Sequence, residues 1–286
     1  MQPEVIADYA CECGENPLWH AVEKAVYWCD IPAGRIFRFL PKTGKHEQIY
    51  HGELVGGFTI QTDGSLLLFM ARGSVKLLGV GKLITVIDEI ESERETRFND
   101  VIADPEGRVF CGTMSTAQRP GRLYRLDPPS KLTLLLEGIG CSNGLGFTPD
   151  LKHLYYTDSF ARTIYIFDYD QKSGEISNRH VFVQVPEEDG LPDGLTVDSM
   201  GYIWSARWDG SSIVRYTPEG KLDRRIVLPA KKITSLVFGG EDLKDIYITS
   251  AGGEKRPTEG AGGAGALFRL RQEIRGTPEF CSRIGL

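Results

Sequence analysis

The sequence of 286 residues has no apolar run that approaches the length of a membrane span, and it begins without the basic start and apolar stretch of a signal peptide. We therefore expect a cytoplasmic protein with no membrane partner, whose six cysteines are reduced. Clusters of Lys and Arg are also missing and the formal net charge is −6, so no nucleic-acid partner is expected.

Familiar catalytic motifs are absent as well. The five histidines are scattered, with no His-Glu-x-x-His zinc motif and no nucleophile elbow, which leaves serine-triad chemistry without support. Cys11 and Cys13 are the only close cysteine pair, too little for a zinc site, and we expect structural thiols. No run of ten or more residues has a 3.6-residue period, so little helix is expected.

What the sequence does contain is a repeat of roughly 42 to 50 residues, in which a polar cluster is followed by a β-rich run and a turn. Such a period is typical of a β-propeller, in which each unit is one four-stranded blade that cannot bury its faces alone. Six units occupy nearly the whole chain, so we predict an all-β, six-bladed β-propeller as one domain over residues 1–286. The clusters open at Gly14-Glu15-Asn16-Pro17, Gly56-Gly57-Phe58, Phe98-Asn99-Asp100, Ser142-Asn143-Gly144, Pro192-Asp193-Gly194 and Thr234-Ser235-Leu236.

The two ends of the chain suggest how the ring closes. A first strand, Glu4–Ala10, precedes the first complete repeat, and the last repeat ends with Thr277–Ile284. We predict that the N-terminal strand completes the final blade as its outer edge, which ties the two ends together.

The polar clusters also predict a site, because residues at one phase of the repeat converge on the propeller axis. Glu15 and Asp193 supply two carboxylates, and Asn99 and Asn143 supply two amides. Two negative charges in a narrow tunnel repel each other, and a divalent cation relieves that repulsion. Oxygen ligands favour a hard ion such as Ca²⁺, Mg²⁺ or Mn²⁺. The planar guanidinium group of Arg97 could donate several hydrogen bonds near this site.

Each cluster also has a purely structural interpretation. Asn143-Gly144 is a hairpin-turn dipeptide and Pro192-Asp193-Gly194 is a turn signature. Glu15 could lie in a solvated loop, and Asn99-Asp100 could form an Asx turn. All four clusters fall at the same position in the repeat. Taken together, they therefore favour a shared site over four separate turns or loops.

Taken in order, the motifs resemble those of the regucalcin/gluconolactonase/luciferin-regenerating enzyme family. The resemblance extends from about Cys11 to Gly240 and continues through Ala264–Phe268. It rests chiefly on Gly14-Glu15-x-Pro17-x-Trp19, Asp30-Ile31, Arg97-Phe98-Asn99-Asp100, Gly112-Thr113-Met114, Ser142-Asn143-Gly144, Asp158-Ser159 and Pro192-Asp193-Gly194.

The resemblance implies a six-bladed propeller with one divalent metal in the central tunnel. By similarity, the metal ligands are Glu15, Asn143 and Asp193, while Arg97 and Asn99 hold the substrate. One segment departs from the family: Ser115–Gly121 is short and lacks the acid that meets the sugar in relatives close to regucalcin. Polar groups such as Gln118, Arg119, Lys255 and Arg256 are candidates to replace it.

We therefore predict a metal-dependent hydrolase that opens lactones, with sugar lactones favoured, and that works as a monomer or weak dimer on a small-molecule lactone or ester. The cofactor is one divalent cation, Ca²⁺, Mg²⁺, Mn²⁺ or Zn²⁺. Asp193 is the candidate general base, because no His falls in the clusters. Two alternatives stay open: phosphotriester or arylester hydrolysis, favoured by a pocket of Phe58, Met114, Phe160 and Trp208, and a non-enzymatic calcium-binding role.

Overall fold

The computed structural model describes residues 2–79, 81–253 and 262–285. Within these ranges strands dominate, and the helical elements are two 3-10 helices of three residues, Glu91–Glu93 and Glu187–Asp189. No helix in the described ranges is long and apolar enough to cross a membrane. The predicted all-β class is confirmed. Of the Gly-rich stretch 252–265, residues 254–261 lie outside the described residues, and so do the candidate residues Lys255 and Arg256.

The described strands form six antiparallel sheets of four strands, which are the six predicted blades. Blades one to three are β2 (Gly14–His20), β3 (Ala25–Asp30), β4 (Arg35–Leu40), β5 (Lys45–His51); β6 (Val55–Ile60), β7 (Leu66–Met70), β8 (Val75–Gly79), β9 (Lys82–Ile87); and β10 (Phe98–Ala103), β11 (Val109–Thr113), β12 (Gly121–Asp127), β13 (Lys131–Ile139). Blades four and five are β14 (Ser142–Phe147), β15 (His153–Asp158), β16 (Thr163–Asp170), β17 (Glu175–Gln184); and β18 (Leu191–Val197), β19 (Ile203–Trp208), β20 (Ser212–Tyr216), β21 (Leu222–Val227).

Blade six joins the two ends of the chain. It contains β22 (Lys232–Gly239), β23 (Asp245–Ala251) and β24 (Ala266–Arg271), and β1 (Glu4–Asp8) pairs antiparallel with β24 as the outermost strand. The predicted closure by the N-terminal strand is therefore confirmed. This pairing covers the edge of β24 and leaves β1, a strand of five residues, as the outer edge of the blade.

The first strand of each blade lies at the centre of the molecule. Strands β2, β6, β10, β14, β18 and β22 contact one another in ring order and enclose a central tunnel. The inner strands approach so closely that glycine is required: a Cβ on Gly56 would lie 2.0 Å from the carbonyl oxygen of Phe98, and one on Gly144 would lie 2.4 Å from the backbone nitrogen of Leu195. Apolar clusters between neighbouring blades hold the ring together.

The prediction for the last residues of the chain is wrong. We predicted that Thr277–Ile284 ends the last repeat. In the structure this segment leaves blade six and crosses the end of the tunnel that lies opposite the polar clusters. Thr277 donates to the carbonyl of Val197 in blade five, and Ser282 donates to that of Ile60 in blade two. The segment is irregular and packs between blades. Its sequence therefore lacks the alternation of apolar and polar residues by which a strand is predicted.

Candidate active site at one end of the tunnel

A cavity of about 260 Å³ opens where the inner strands begin. All five residues predicted to act there contribute to its wall: Glu15, Arg97, Asn99, Asn143 and Asp193. They come from blades one, three, four and five, so the fold brings together residues that are distant in sequence. Their individual roles stay predictions.

The turn interpretation of the clusters is wrong, because all four clusters lie inside inner strands. Glu15 lies in β2, Asn99 in β10, Asn143 in β14 and Asp193 in β18. Each of these strands has a register shift at the cluster, for example between Asn143 and Leu145. A bulge of this kind turns a side chain out of the regular alternation of a strand, and bulges are frequent beside active sites. The bulges explain how turn-forming residues come to lie in strands.

The amides are held in fixed orientations. Asn99 donates from Nδ2 to the Asn143 Oδ1 atom at 3.0 Å and to the carbonyl of Ser142 at 2.8 Å. The Nδ2 atom of Asn143 donates to Oγ of Ser159 at 2.9 Å. These bonds leave the second lone pair of Asn143 Oδ1 for another partner.

Arg97 is fixed by one of its two terminal nitrogens. That nitrogen donates to Oδ1 of Asn99 at 2.5 Å and to the carbonyl of Phe98 at 2.9 Å. Among the described residues no partner is recorded for its other guanidinium nitrogens, so they can bind a ligand in the cavity.

Two buried aspartates anchor the backbone just ahead of the candidate ligands. In blade one, the Asp30 carboxylate accepts from the amides of Glu12 and Cys13; in blade four, Asp158 accepts from those of Gly140 and Cys141 at the equivalent position. This explains why Asp30-Ile31 and Asp158-Ser159 recur as motifs. The two cysteines line the cavity, where burial raises the pKa of each thiol well above its usual value.

Three carboxylates crowd this end of the tunnel. Burial raises the pKa of Glu15 well above its usual value, and the charges of Asp193 and Asp100 raise it further. The pKa of Asp193 is raised by burial and by Asp100. Burial also raises the pKa of Asp100 to about 7, although Arg97 lowers it. Burial and mutual repulsion therefore disfavour the ionisation of all three acids, and an added positive charge would offset that cost.

A divalent cation fits this arrangement. Among the described residues, the buried Oδ1 of Asp193 has no hydrogen-bond partner, and Oε2 of Glu15 accepts from the amide of Asn16 alone, at 2.9 Å. In the described ranges no three His, Cys, Asp or Glu side chains are close enough to form a metal cluster. The predicted set does not need three, since it consists of two carboxylates and one amide.

Sequence reasoning missed several parts of the wall. Ser159 belonged to a recognised motif but was given no role, and Leu191 was not singled out. Met114, Phe160 and Trp208 line the cavity as the ester alternative requires, whereas Phe58 is fully buried in the core between blades. The wall is therefore mixed, with charged groups and amides beside apolar and aromatic side chains.

The short segment Ser115–Gly121 does not reach the cavity wall. Its Arg119 forms an ion pair with the buried carboxylate of Glu93, which also accepts from Tyr124 at 2.6 Å. Arg119 is therefore held away from the cavity and does not replace the missing acid of the family. Gln118 also lies outside the wall.

Comparison with known proteins supports the same identification. Residues 13–252 match the family model described as "SMP-30/Gluconolactonase/LRE-like region". Pentonolactonase XacC from Haloferax volcanii is 47% identical over 98% of both chains, and regucalcin from Danio rerio is 34% identical over 84% of this chain and 83% of that protein. A luciferin-regenerating enzyme structure superposes with a TM-score of 0.89 at 25% identity, covering 98% of this chain and 99% of that one. The chain therefore belongs to the SMP-30/gluconolactonase/LRE-like family.

Proposed function

We propose that the protein hydrolyses lactones and that sugar lactones are its substrates. The observation that carries the proposal is one cavity that holds a second carboxylate, two oriented amides, an Asp193 oxygen and an Arg97 guanidinium, of which the last two have unused hydrogen-bonding capacity toward the described residues. The similarity to a pentonolactonase over the full length of both chains supports the substrate class. A five-carbon aldonolactone is small enough for a cavity of about 260 Å³.

We infer that Glu15, Asn143 and Asp193 hold one divalent cation, which supplies a Lewis acid for the lactone carbonyl when bound. Ca²⁺, Mg²⁺, Mn²⁺ and Zn²⁺ are the candidates. Asp193 accepts the proton of the attacking water as the water oxygen bonds to the carbonyl carbon. The bond between that carbon and the ring oxygen then breaks, the ring oxygen takes up the proton, and the product is a hydroxy acid.

Arg97 and Asn99 orient the substrate in this proposal. Arg97 has donors to offer to hydroxyl or ring oxygens, because in the part of the chain that the structure describes one of its terminal nitrogens makes all the hydrogen bonds of the guanidinium. Its bond to Asn99 fixes both side chains before the substrate arrives, so little conformational entropy is lost on binding.

A second candidate function follows from the apolar part of the wall. Phe160 is 58% exposed at the cavity, with Met114, Leu191 and Trp208 nearby. Such a surface suits an aryl ester or a phosphotriester that has few hydroxyls. A screen of metal-loaded protein against aldonolactones, simple lactones, an aryl ester and a phosphotriester separates the two candidates, and rapid phosphotriester hydrolysis without any lactone hydrolysis would favour the second.

We expect Arg97→Ala to raise KM for an aldonolactone by roughly 10- to 100-fold, with a smaller change in kcat, because hydrogen bonds from a charged group to the substrate are lost. Hydrolysis of an apolar aryl ester should change less than about threefold, since that substrate offers the guanidinium few acceptors. Steady-state kinetics with both substrates provide the measurement.

Arg94→Ala is the matched control, because Arg94 is exposed and pairs with Glu89 outside the cavity. Equal losses on both substrates in Arg97→Ala would show that Arg97 supports the shape of the site and does not select the substrate.

A further inference from the structure

The end of the tunnel opposite the candidate active site is crossed by the C-terminal segment, residues 276–285. It is fixed at both ends: Gly276 donates to the carbonyl of Leu243, and Ile284 donates to Oε1 of Gln61 at 3.0 Å. Oγ atoms of Ser282 and Thr59 are 2.7 Å apart, and Ile284 is fully buried. The segment is therefore an integral part of the propeller fold.

Two cavities lie between this segment and the ends of the inner strands. One, of about 180 Å³, extends beneath blades one to three; the other, of about 300 Å³, extends beneath blades three to five. Both are bordered by Ile102, Glu279 and Phe280, so Glu279 lies at their junction. The larger cavity is lined mainly by apolar groups, among them Leu145, Phe147 and Leu151.

Glu279 is a partly buried carboxyl for which no hydrogen bond or ion pair is recorded among the described residues. Burial alone raises its pKa to about 7. Three other titratable groups border the cavities: His20, Asp63 and Cys281. His20 Nδ1 accepts from the amide of Glu23, Asp63 accepts from Ser65, and the Cys281 thiol has a raised pKa. None of them supplies a cationic partner for Glu279.

We propose that the larger of these two adjacent cavities binds a small organic cation, an ammonium group on an apolar body, with Glu279 as its counter-ion. A carboxylate in apolar surroundings without a donor is costly, and an ammonium group would offset that cost with charge and up to three hydrogen bonds. The apolar body would pack against Leu145, Phe147 and Leu151. The charge of Glu279 disfavours anions, and a bare metal ion would leave the apolar part of the wall without contacts.

This site is independent of the proposed lactone hydrolysis. The two cavities share no wall residue with the candidate active site. A ligand at Glu279 therefore occupies a second place on the protein and does not compete with a lactone.

Calorimetric titration of the full chain with benzylammonium tests the proposal, and benzyl alcohol serves as the neutral isostere. At pH 8.5 we expect a Kd for benzylammonium below about 1 mM, and binding of the alcohol at least about tenfold weaker. Glu279→Gln keeps the volume and removes the charge, and should weaken benzylammonium binding at least about tenfold. Asp193→Asn should leave it unchanged, which excludes binding to the acids of the candidate active site.

The wild-type protein provides a test that does not depend on the variant folding. Because the pKa of Glu279 is raised to about 7, the carboxyl gains its proton as the pH falls through 7, and the affinity should drop by about tenfold between pH 8.5 and pH 6. Equal binding of the amine and the alcohol, equal binding at both pH values, or loss of binding in Asp193→Asn but not in Glu279→Gln would each overturn the proposal.

Discussion

Asp193→Asn is expected to lower lactone turnover by about 1,000-fold and at the same time to raise the melting temperature of the metal-free protein at pH 8. Turnover falls because the variant loses both the proton acceptor and one of two anionic candidate ligands. The metal-free protein gains stability because a buried charge, disfavoured by burial and by Asp100, is replaced by a neutral amide.

The size of the stability effect depends on pH. The folded-state pKa of Asp193 is raised, so the folded protein binds this proton more tightly than the unfolded chain does. The wild-type protein without metal should therefore become more stable as the pH falls through the raised pKa. The advantage of Asp193→Asn should shrink over the same range and vanish below the pKa of the unfolded chain.

Thermal unfolding at several pH values, with chelator and with added Mn²⁺, Mg²⁺, Ca²⁺ or Zn²⁺, measures both effects. In the wild type a bound cation should raise the melting temperature, and in Asp193→Asn that increase should be small. Glu219→Gln, an exposed change in a turn of the same blade, is the control. A metal-dependent stabilisation of equal size in Asp193→Asn and the wild type would remove Asp193 from the ligand set.

Removal of residues 2–8, which deletes β1, is expected to lower the melting temperature by roughly 10 °C or more. Blade six loses the strand that pairs with β24 and the packing of Ala7. The lost backbone hydrogen bonds and apolar burial should lower the free energy of unfolding by about 3–5 kcal/mol. For a protein of this size such a loss corresponds to a shift of that order. Circular dichroism measures it, and sedimentation detects pairing through the exposed edge of β24.

A synthetic peptide with the sequence of residues 2–10 should restore much of the lost stability when added to the shortened protein. Val5→Ala is a control within the strand, since Val5 is 47% exposed and contributes little packing. An unchanged melting temperature in the shortened protein would mean that the ring does not depend on this closure.

The repeat made the blade number, the closure and the convergence of the polar clusters predictable. The outer strands were harder, because a strand such as Lys45–His51 is exposed along nearly its whole length and has no apolar alternation. The middle strands were easier to predict from the sequence. A strand such as Ala25–Asp30 is fully buried and is therefore rich in apolar and aromatic residues.

The convergence of the five candidate residues on one cavity was predicted, but their local structure was not. Asn143-Gly144 and Pro192-Asp193-Gly194 have the composition of turns, and they lie in strands because bulges accommodate that composition. Phe160 and Trp208 were named as candidate pocket residues, but spacing alone could not bring them together, since Phe160 follows β15, Trp208 ends β19, and both reach one cavity only in the closed ring. The course of the C-terminal segment likewise depends on contacts with three distant blades.

The pairing of β1 with β24 also affects how the protein is made. The ribosome completes β1 at Asp8, and β24 begins about 258 residues later, at Ala266. At roughly 5–20 residues per second, β1 waits about 10–50 s for its partner, while the other blades are each built from consecutive strands. During that interval its edge is open to other nascent chains. Exchange of β1 between two copies is the specific misassembly that this closure allows.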